Sequence, residues 1–168
     1  SFTFAYQKQP DFIQVNADGV LLCEIKENKV LSDYIFQLKR AKNYGDRREA
    51  LLEVLKKQDD KEAFQAVVHA LNDSYYKIRI LALENIDLIN KFSKKDAIQQ
   101  ITKIAQNDPK TLVKAAAIET LGKLIEPELK PIFSKHLNSE SYAVVGKSLV
   151  AMYYVDKQLA IEKSKSLP

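Results

Sequence analysis

The chain has 168 residues, 46% of them hydrophobic, and this length and composition predict one globular domain or one domain plus part of another. Its net charge of +4 comes from 26 basic and 22 acidic residues interspersed along the chain, a pattern typical of solvated helix faces. No apolar run reaches the roughly 18 residues that a membrane span needs, and the single cysteine, Cys23, cannot form an internal disulfide.

The first 29 residues predict a short β-stranded segment. The runs at 2–6, 12–15 and 20–25 are rich in aromatic and β-branched residues, and turn-forming sequences separate them. Two or three strands alone are barely stable in water. We therefore expect this segment to pair with a longer sheet or to pack on the first helix through Phe12, Val15 or Leu22.

From about residue 30 the hydrophobic period changes from 2 to 3.6, which predicts helices to the end of the chain. Ser32 is expected to cap the first helix, Tyr44 and Gly45 to break it, and Asp46 to open the second. Gly122 lies late in a helix, where a neighbouring helix can approach closely. Helices are predicted at about 32–43, 46–58, 60–71, 75–90 paired with 94–107, 110–125 paired with 127–137, and 141–154 paired with 156–165.

One helical template repeats along this region. Residues 73–86 and 108–121 share its pattern, residues 139–152 follow it more loosely, and a fainter copy begins at Asp46. A small residue before a buried aliphatic one recurs at Ala50, Ala82, Ala117 and Ser148, after 32, 35 and 31 residues. A period in the thirties made of helix pairs predicts a stacked α-solenoid.

Each repeated position has a predicted structural role. The small residue lets two helices approach closely, and the aspartates can accept the first free N–H groups of the following helix. Arg79 and Lys114 occupy the same slot and can reach an aspartate of the adjacent repeat, giving a ladder of charges, unless they are independent exposed charges worth little. The predicted structural positions are Asp46, Arg47, Ala50, Asp73, Arg79, Ala82, Asp108, Lys114, Ala117 and Ser148.

The template resembles the HEAT-repeat consensus. Residues 73–86 match it well, residues 108–121 match it with lysine in place of arginine, and residues 139–152 match it poorly because Val145 replaces the cation. The resemblance covers about residues 44–155 and implies an α-α superhelix. The weak last copy is expected to be a terminal cap.

A second resemblance begins in the amino-terminal part. The stretch from Pro10 through Asp18-Gly19 is followed by Gln37-Leu38 and by Asp46-Arg47-x-x-Ala50, an order similar to the carboxy-terminal region of aminopeptidase N-type zinc metallopeptidases. In that family a small β-sandwich precedes a helical domain that leans over the catalytic cleft. The resemblance implies that 1–29 ends an upstream β-sandwich and that 30–168 is the HEAT-like domain.

The catalytic motif of that family is absent from this chain. A zinc site of that type needs two histidines at i and i+4 on a helix, whereas His69 and His136 are 67 residues apart. We therefore expect no catalytic residue, metal ligand or cofactor in the chain, and zinc only in a catalytic domain of the parent protein. The resemblance implies a non-catalytic accessory domain that walls the substrate cleft and limits peptide access. Its partners would be the upstream catalytic and β-sandwich domains and the peptide substrate.

Two other functions remain open from the sequence. The first is a free-standing HEAT-repeat scaffold that binds a partner protein along its concave face. The second, less favoured, is a nucleic-acid-binding helical repeat with stacking tyrosines at 75–76 or 153–154. Its basic residues would be Lys39, Arg40, Lys42, Arg47, Arg48, Lys91, Lys94 and Lys95.

Overall fold

The computed structural model describes residues 5, 7–8, 10, 12–16, 20, 22, 26–89, 92 and 94–165. From residue 31 onward the described chain is mostly helical, and a 3-10 helix at Pro127–Leu129 leads into one of the α-helices. None of the described helices is long and apolar enough to cross a membrane. The α-helices are α1 (Leu31–Arg40), α2 (Tyr44–Leu55), α3 (Lys61–Ala70), α4 (Tyr76–Asn85), α5 (Lys94–Asn107), α6 (Thr111–Gly122), α7 (Lys130–His136), α8 (Tyr142–Val155) and α9 (Lys157–Ser164).

The helices stack in pairs, α1 with α2, α3 with α4, α5 with α6 and α7 with α8. The predicted pairing of 75–90 with 94–107 and of 110–125 with 127–137 is therefore wrong by one helix, while α8 does pack on α9. The tight turn lies between α5 and α6, where the Asp108 carboxylate accepts the Lys110 N–H at 2.9 Å. Helix α4 ends at Asn85 and α5 begins at Lys94, and over the described residues these two helices make little contact.

The amino-terminal helices begin at different residues from those predicted. Helix α1 begins at Leu31, and the Asp33 carboxylate rather than Ser32 closes its first turn by accepting the Val30 N–H at 2.9 Å. Tyr44 and Gly45 do not break the helical region but form the first turn of α2, so Asp46 lies inside that helix. Extended backbone at Val30 and Asn43 sets these starts, because a helix begins where the chain leaves the β region.

The predicted strand at 12–15 is wrong, since the described residues of the first 30 form no strand. An isolated strand leaves its backbone groups without partners, and Phe12 instead packs its ring 5.4 Å from that of Phe36 in α1. Val15 and Leu22 are exposed and do not share this contact. Most of the predicted strands at 2–6 and 20–25, including Cys23, lies outside the described residues.

The second helices of successive pairs form one row of the stack. Helix α6 packs directly on α4 and, most extensively, on α8, while contacts of α5 with α3 and with α7 are slight over the described residues. We call the second helices α4, α6 and α8, which pack on one another in succession, the inner row. One continuous apolar core runs through the stack.

Candidate protein-binding surface

Two largely buried ion pairs join successive repeats. Arg47 Nε lies 2.7 Å from the Asp73 carboxylate, and Arg79 Nε lies 2.9 Å from that of Asp108. In both pairs the second guanidinium nitrogen contacts the other carboxylate oxygen, so the pairs are bidentate. We call these two pairs the Arg–Asp ladder.

Each ladder residue also organises its own loop. The Arg79 guanidinium donates to the carbonyls of Asp73 and Ser74 at 2.8 and 3.2 Å, and Arg47 donates in the same way to Ala41 and Lys42. The aspartates accept N–H groups at the start of the next helix, as Asp73 does from Tyr75 at 2.7 Å. The ladder therefore fixes the loop of one repeat to that of the next.

The ladder does not continue to the last repeat. The slot after Lys114 holds Ser139, which has no carboxylate, and Val145 stands where the earlier repeats have a cation. The interface between α6 and α8 forms instead by close packing: a Cβ added to Gly122 would lie 2.7 Å from the Ala151 Cβ, so the expected close approach at Gly122 is present. Near the surface the Lys147 ammonium lies 2.7 Å from the Glu119 carboxylate.

The remaining repeat positions lie inside the stack. Ala50, Ala82, Ala117 and Ser148 are all fully buried, and the Ser148 hydroxyl donates to the Val144 carbonyl at 2.7 Å. Asp46 does not act as the other aspartates do: its backbone carbonyl accepts from the Gln37 amide at 2.9 Å, which ties α1 to α2. None of these five residues is placed to bind a partner.

The histidines offer no metal site. Over the part of the chain that the structure describes, no group of three or more His, Cys, Asp or Glu side chains is placed to hold a metal ion. His69 is exposed on α3. His136 is buried, and its Nδ1 lies 2.7 Å from the Ile132 carbonyl one turn earlier.

Not all of the described residues considered for nucleic-acid binding are available to a ligand. Arg47 is held by Asp73 and by two carbonyls, and Lys91 lies outside the described residues. Tyr75 is half-buried, with its ring 4.6 Å from that of Tyr44 and 5.2 Å from that of Tyr76, so its faces are occupied by protein. The sequence alone does not show that these groups have partners.

Two adjoining grooves lie at the carboxyl ends of the inner-row helices. One, of about 150 Å³, is formed by residues 83–89 of α4 and its following loop with Thr120, Lys123 and Leu124. The other, of about 160 Å³, lies between α6 and α8 and shares Lys123. We call these two grooves the helix-end track; Ile89, 92% exposed, and Tyr154, 58% exposed, stand at its two ends.

A third groove continues from the track onto the face of α8 and α9. It encloses about 350 Å³ and shares Val150 and Tyr154 with the track. We call it the end groove. Its outward side is apolar, whereas the terminal cap expected from the sequence would present a polar outer face. The sequence did not reveal this groove, because its residues follow the same apolar pattern as the core.

Comparison with known proteins agrees with the stacked helix pairs. Residues 64–152, more than half of the chain, match the family model for HEAT repeats. No curated protein matches the chain.

Proposed function

The chain belongs to the HEAT-repeat family, and we propose that it is a non-catalytic scaffold that binds another protein along the helix-end track. Stacked helical repeats work through the extended surfaces they present rather than through reactive groups. The observation that carries the proposal is the continuity of the track, whose two grooves share Lys123 and are flanked by large exposed apolar side chains.

The size of the grooves favours a peptide over a small molecule. Ligand pockets usually enclose about 300–1,000 Å³, whereas each groove of the track encloses about half of the lower limit. Such a groove accommodates one side chain. Two adjoining grooves of this size therefore suit successive side chains of a protein segment.

In its finer form, the proposal makes the chain the carboxy-terminal accessory domain of a zinc aminopeptidase-type protein. Residues 30–168 would wall the substrate cleft, and 1–29 would end the upstream β-sandwich. The support is the sequence resemblance. Two of its residues, Gln37 and Asp46, join α1 to α2, because the Gln37 amide donates to the Asp46 carbonyl at 2.9 Å. These similar positions therefore serve the fold of the helical domain.

Panning a random peptide library on the immobilised full chain tests the scaffold function. Recovered peptides should bind the purified chain and lose affinity by about tenfold or more with Ile89→Asp, which places a charge in an apolar contact. Gln65→Asp, on an exposed position of α3, is the matched control and should leave binding unchanged. Recovery of no binding peptide, or equal binding to Ile89→Asp, would contradict the proposal.

The finer form has a separate test in the coding sequence upstream of residue 1. A His-Glu-x-x-His motif encoded a few hundred residues earlier would support an aminopeptidase-type parent, and a continuous upstream reading frame without it would contradict one. The purified chain itself should not hydrolyse aminoacyl substrates and should hold no stoichiometric zinc by metal analysis.

A further inference from the structure

The face of the stack beyond α8 is grooved and apolar. Val150 is 52% exposed, Tyr153 45%, Tyr154 58% and Ile161 39%. Beneath them the end groove is closed by the half-buried Leu149 and the buried Ala160. Exposed tyrosines and aliphatic side chains around a groove are typical of protein-interaction sites.

The earlier repeats indicate what kind of element covers this side of an inner-row helix. In α6, Glu119 and Gly122 lie two and five residues after the small residue Ala117. Both are covered by α8, the next inner-row helix. The Lys147 ammonium lies 2.7 Å from the Glu119 carboxylate, and Ala151 packs against Gly122. At the internal interface an α-helix therefore occupies this side.

The equivalent residues of α8 change the chemistry of that contact. Two and five residues after Ser148 come Val150 and Tyr153, in place of Glu119 and Gly122. Val150 cannot form the ion pair that Glu119 forms. The ring of Tyr153 fills the space that a helix packed as closely as at Gly122 would need. A helix docked here must therefore make contact through its own large apolar side chains.

The charges around the end groove favour an acidic helix. None of its described lining residues is a carboxylate. Lys157 stands at the rim, with its ammonium 5.4 Å from the centroid of the Tyr153 ring, and Lys123 lines the adjoining groove. Glu119 and Lys147 of that groove neutralise each other, which leaves Glu162, an exposed acid on α9, against Lys123 and Lys157. Cations exceed free anions here, which attracts carboxylates.

We propose that the end groove binds an amphipathic α-helix of a partner protein, with an apolar face flanked by Asp or Glu. The helix extends the stack beyond α8 and α9 and places its apolar side chains against Val150, Tyr153 and Ile161. This assignment rests on the proposed scaffold function, and it names the chemistry of the partner at one end of the binding surface.

The test is fluorescence anisotropy of the full chain with a labelled amphipathic peptide of about 18 residues, long enough to form a helix when bound. Leucines form its apolar face and glutamates flank them, and a twin peptide carries lysines in place of the glutamates. The acidic peptide should bind at least about tenfold more tightly than the basic twin. Equal affinity for both peptides, or no binding of the acidic one, would overturn the proposal.

Three variants locate the binding. Ile161→Asp should lower the affinity for the acidic peptide by about tenfold. Lys157→Glu should reduce the ratio of the affinity for the acidic peptide to that for the basic twin. Tyr142→Asp, on the same helix α8 but 81% exposed and outside the groove, is the matched control and should leave affinity unchanged. Equal weakening by all three would overturn the site, provided that circular dichroism shows each variant folded.

Two further outcomes separate this inference from the scaffold function. If library peptides still depend on Ile89 while the acidic helix does not bind, the scaffold function stands and the end groove assignment fails. Sedimentation showing a dimer of the chain that Ile161→Asp dissociates would assign the groove to a second copy and would also overturn the proposal.

Discussion

The early and late interfaces of the stack are built on different physics. Between α2 and α4, and between α4 and α6, largely buried arginine–aspartate pairs fix neighbouring loops. Between α6 and α8 no such pair forms among the described residues, and the helices approach closely at Gly122. Repeats of one template can therefore be joined either by ion pairs or by close helix packing at a glycine.

The difference also separates stability from binding. The ladder aspartates and Arg79 are largely buried, and their hydrogen-bonding groups are occupied by loops of the stack. The exposed apolar side chains lie elsewhere. Val150 and Tyr154 are at the late interface, and Ile89 follows the carboxyl end of α4, whereas Arg79 lies near its amino end. We infer that the ladder at the amino ends of α4 and α6 holds the fold, and that the carboxyl ends of these helices and the late interface present the binding surface.

The largest effect is expected from Arg79→Ala. The Asp108 side chain, only 7% exposed, would lose its bidentate partner, and such a change costs about 3–5 kcal/mol of unfolding free energy. Lys147→Ala removes the half-exposed partner of Glu119 at the late interface and should cost less than about 1 kcal/mol. Urea denaturation measures both losses of unfolding free energy, and equal losses in the two variants would contradict the distinction between the two interfaces.

At the late interface, Gly122→Ala should destabilise the chain although alanine is the better helix former. The added Cβ meets Ala151, and overpacking of this kind costs about 1–3 kcal/mol. The same substitution at Gly146 of α8 meets nothing within 4 Å and should stabilise by about 0.5–1 kcal/mol. Thermal denaturation of the two variants should shift in opposite directions; shifts of the same sign would contradict the close approach.

A smaller gain is expected at Ile125, just after α6. Its φ of 53° is left-handed, a conformation that strains a β-branched residue. Ile125→Gly should therefore raise the unfolding free energy by about 0.5–1 kcal/mol. Ile89→Gly, whose backbone is not in that region, should give no gain, and an equal gain from both variants would exclude relief of strain as the cause.

The smallest effect concerns Asp156, between α8 and α9. The Lys130 ammonium, 2.5 Å from the carboxylate, and the Leu159 N–H lower the pKa of Asp156 below its ordinary value. A lowered carboxyl pKa stabilises the fold at neutral pH, and the contribution is lost as the pH falls below about 4.

Asp156→Asn keeps a side chain that can cap α9 and removes only the charge. The variant should be slightly less stable than the wild type at pH 7, and the difference should shrink under acid. Denaturation curves of both proteins from pH 7 to below pH 4 measure this difference in unfolding free energy. A difference that stays constant at all pH values would contradict the charge effect.

Much of the architecture could be predicted from the sequence because local patterns determine it. The repeat spacing located Ala50, Ala82, Ala117 and Ser148, which are all buried. Asp46 does not occupy the position of Asp73, since the first-repeat residue equivalent to Asp73 is Ala41, six residues before Arg47. The carbonyl of Ala41 binds Arg47, a role that any residue can fill and that leaves no sequence signal.

The binding surface could not be predicted in the same way. Val150 and Ile161 carry the same apolar signature as core residues, and only tertiary packing decides which apolar side chains stay uncovered. The strand predicted at 12–15 failed for a related reason, because a strand depends on a partner that local sequence does not specify.

Amide hydrogen exchange of the full chain, with and without a peptide recovered by panning, tests most directly the separation between the stabilising ladder and the binding surface. Bound peptide should slow exchange at residues 86–89, 120–125 and 149–161, which form the helix-end track and the end groove, and should leave α1 and α2 unchanged. Protection confined to the first helices, or spread evenly over the stack, would contradict the account.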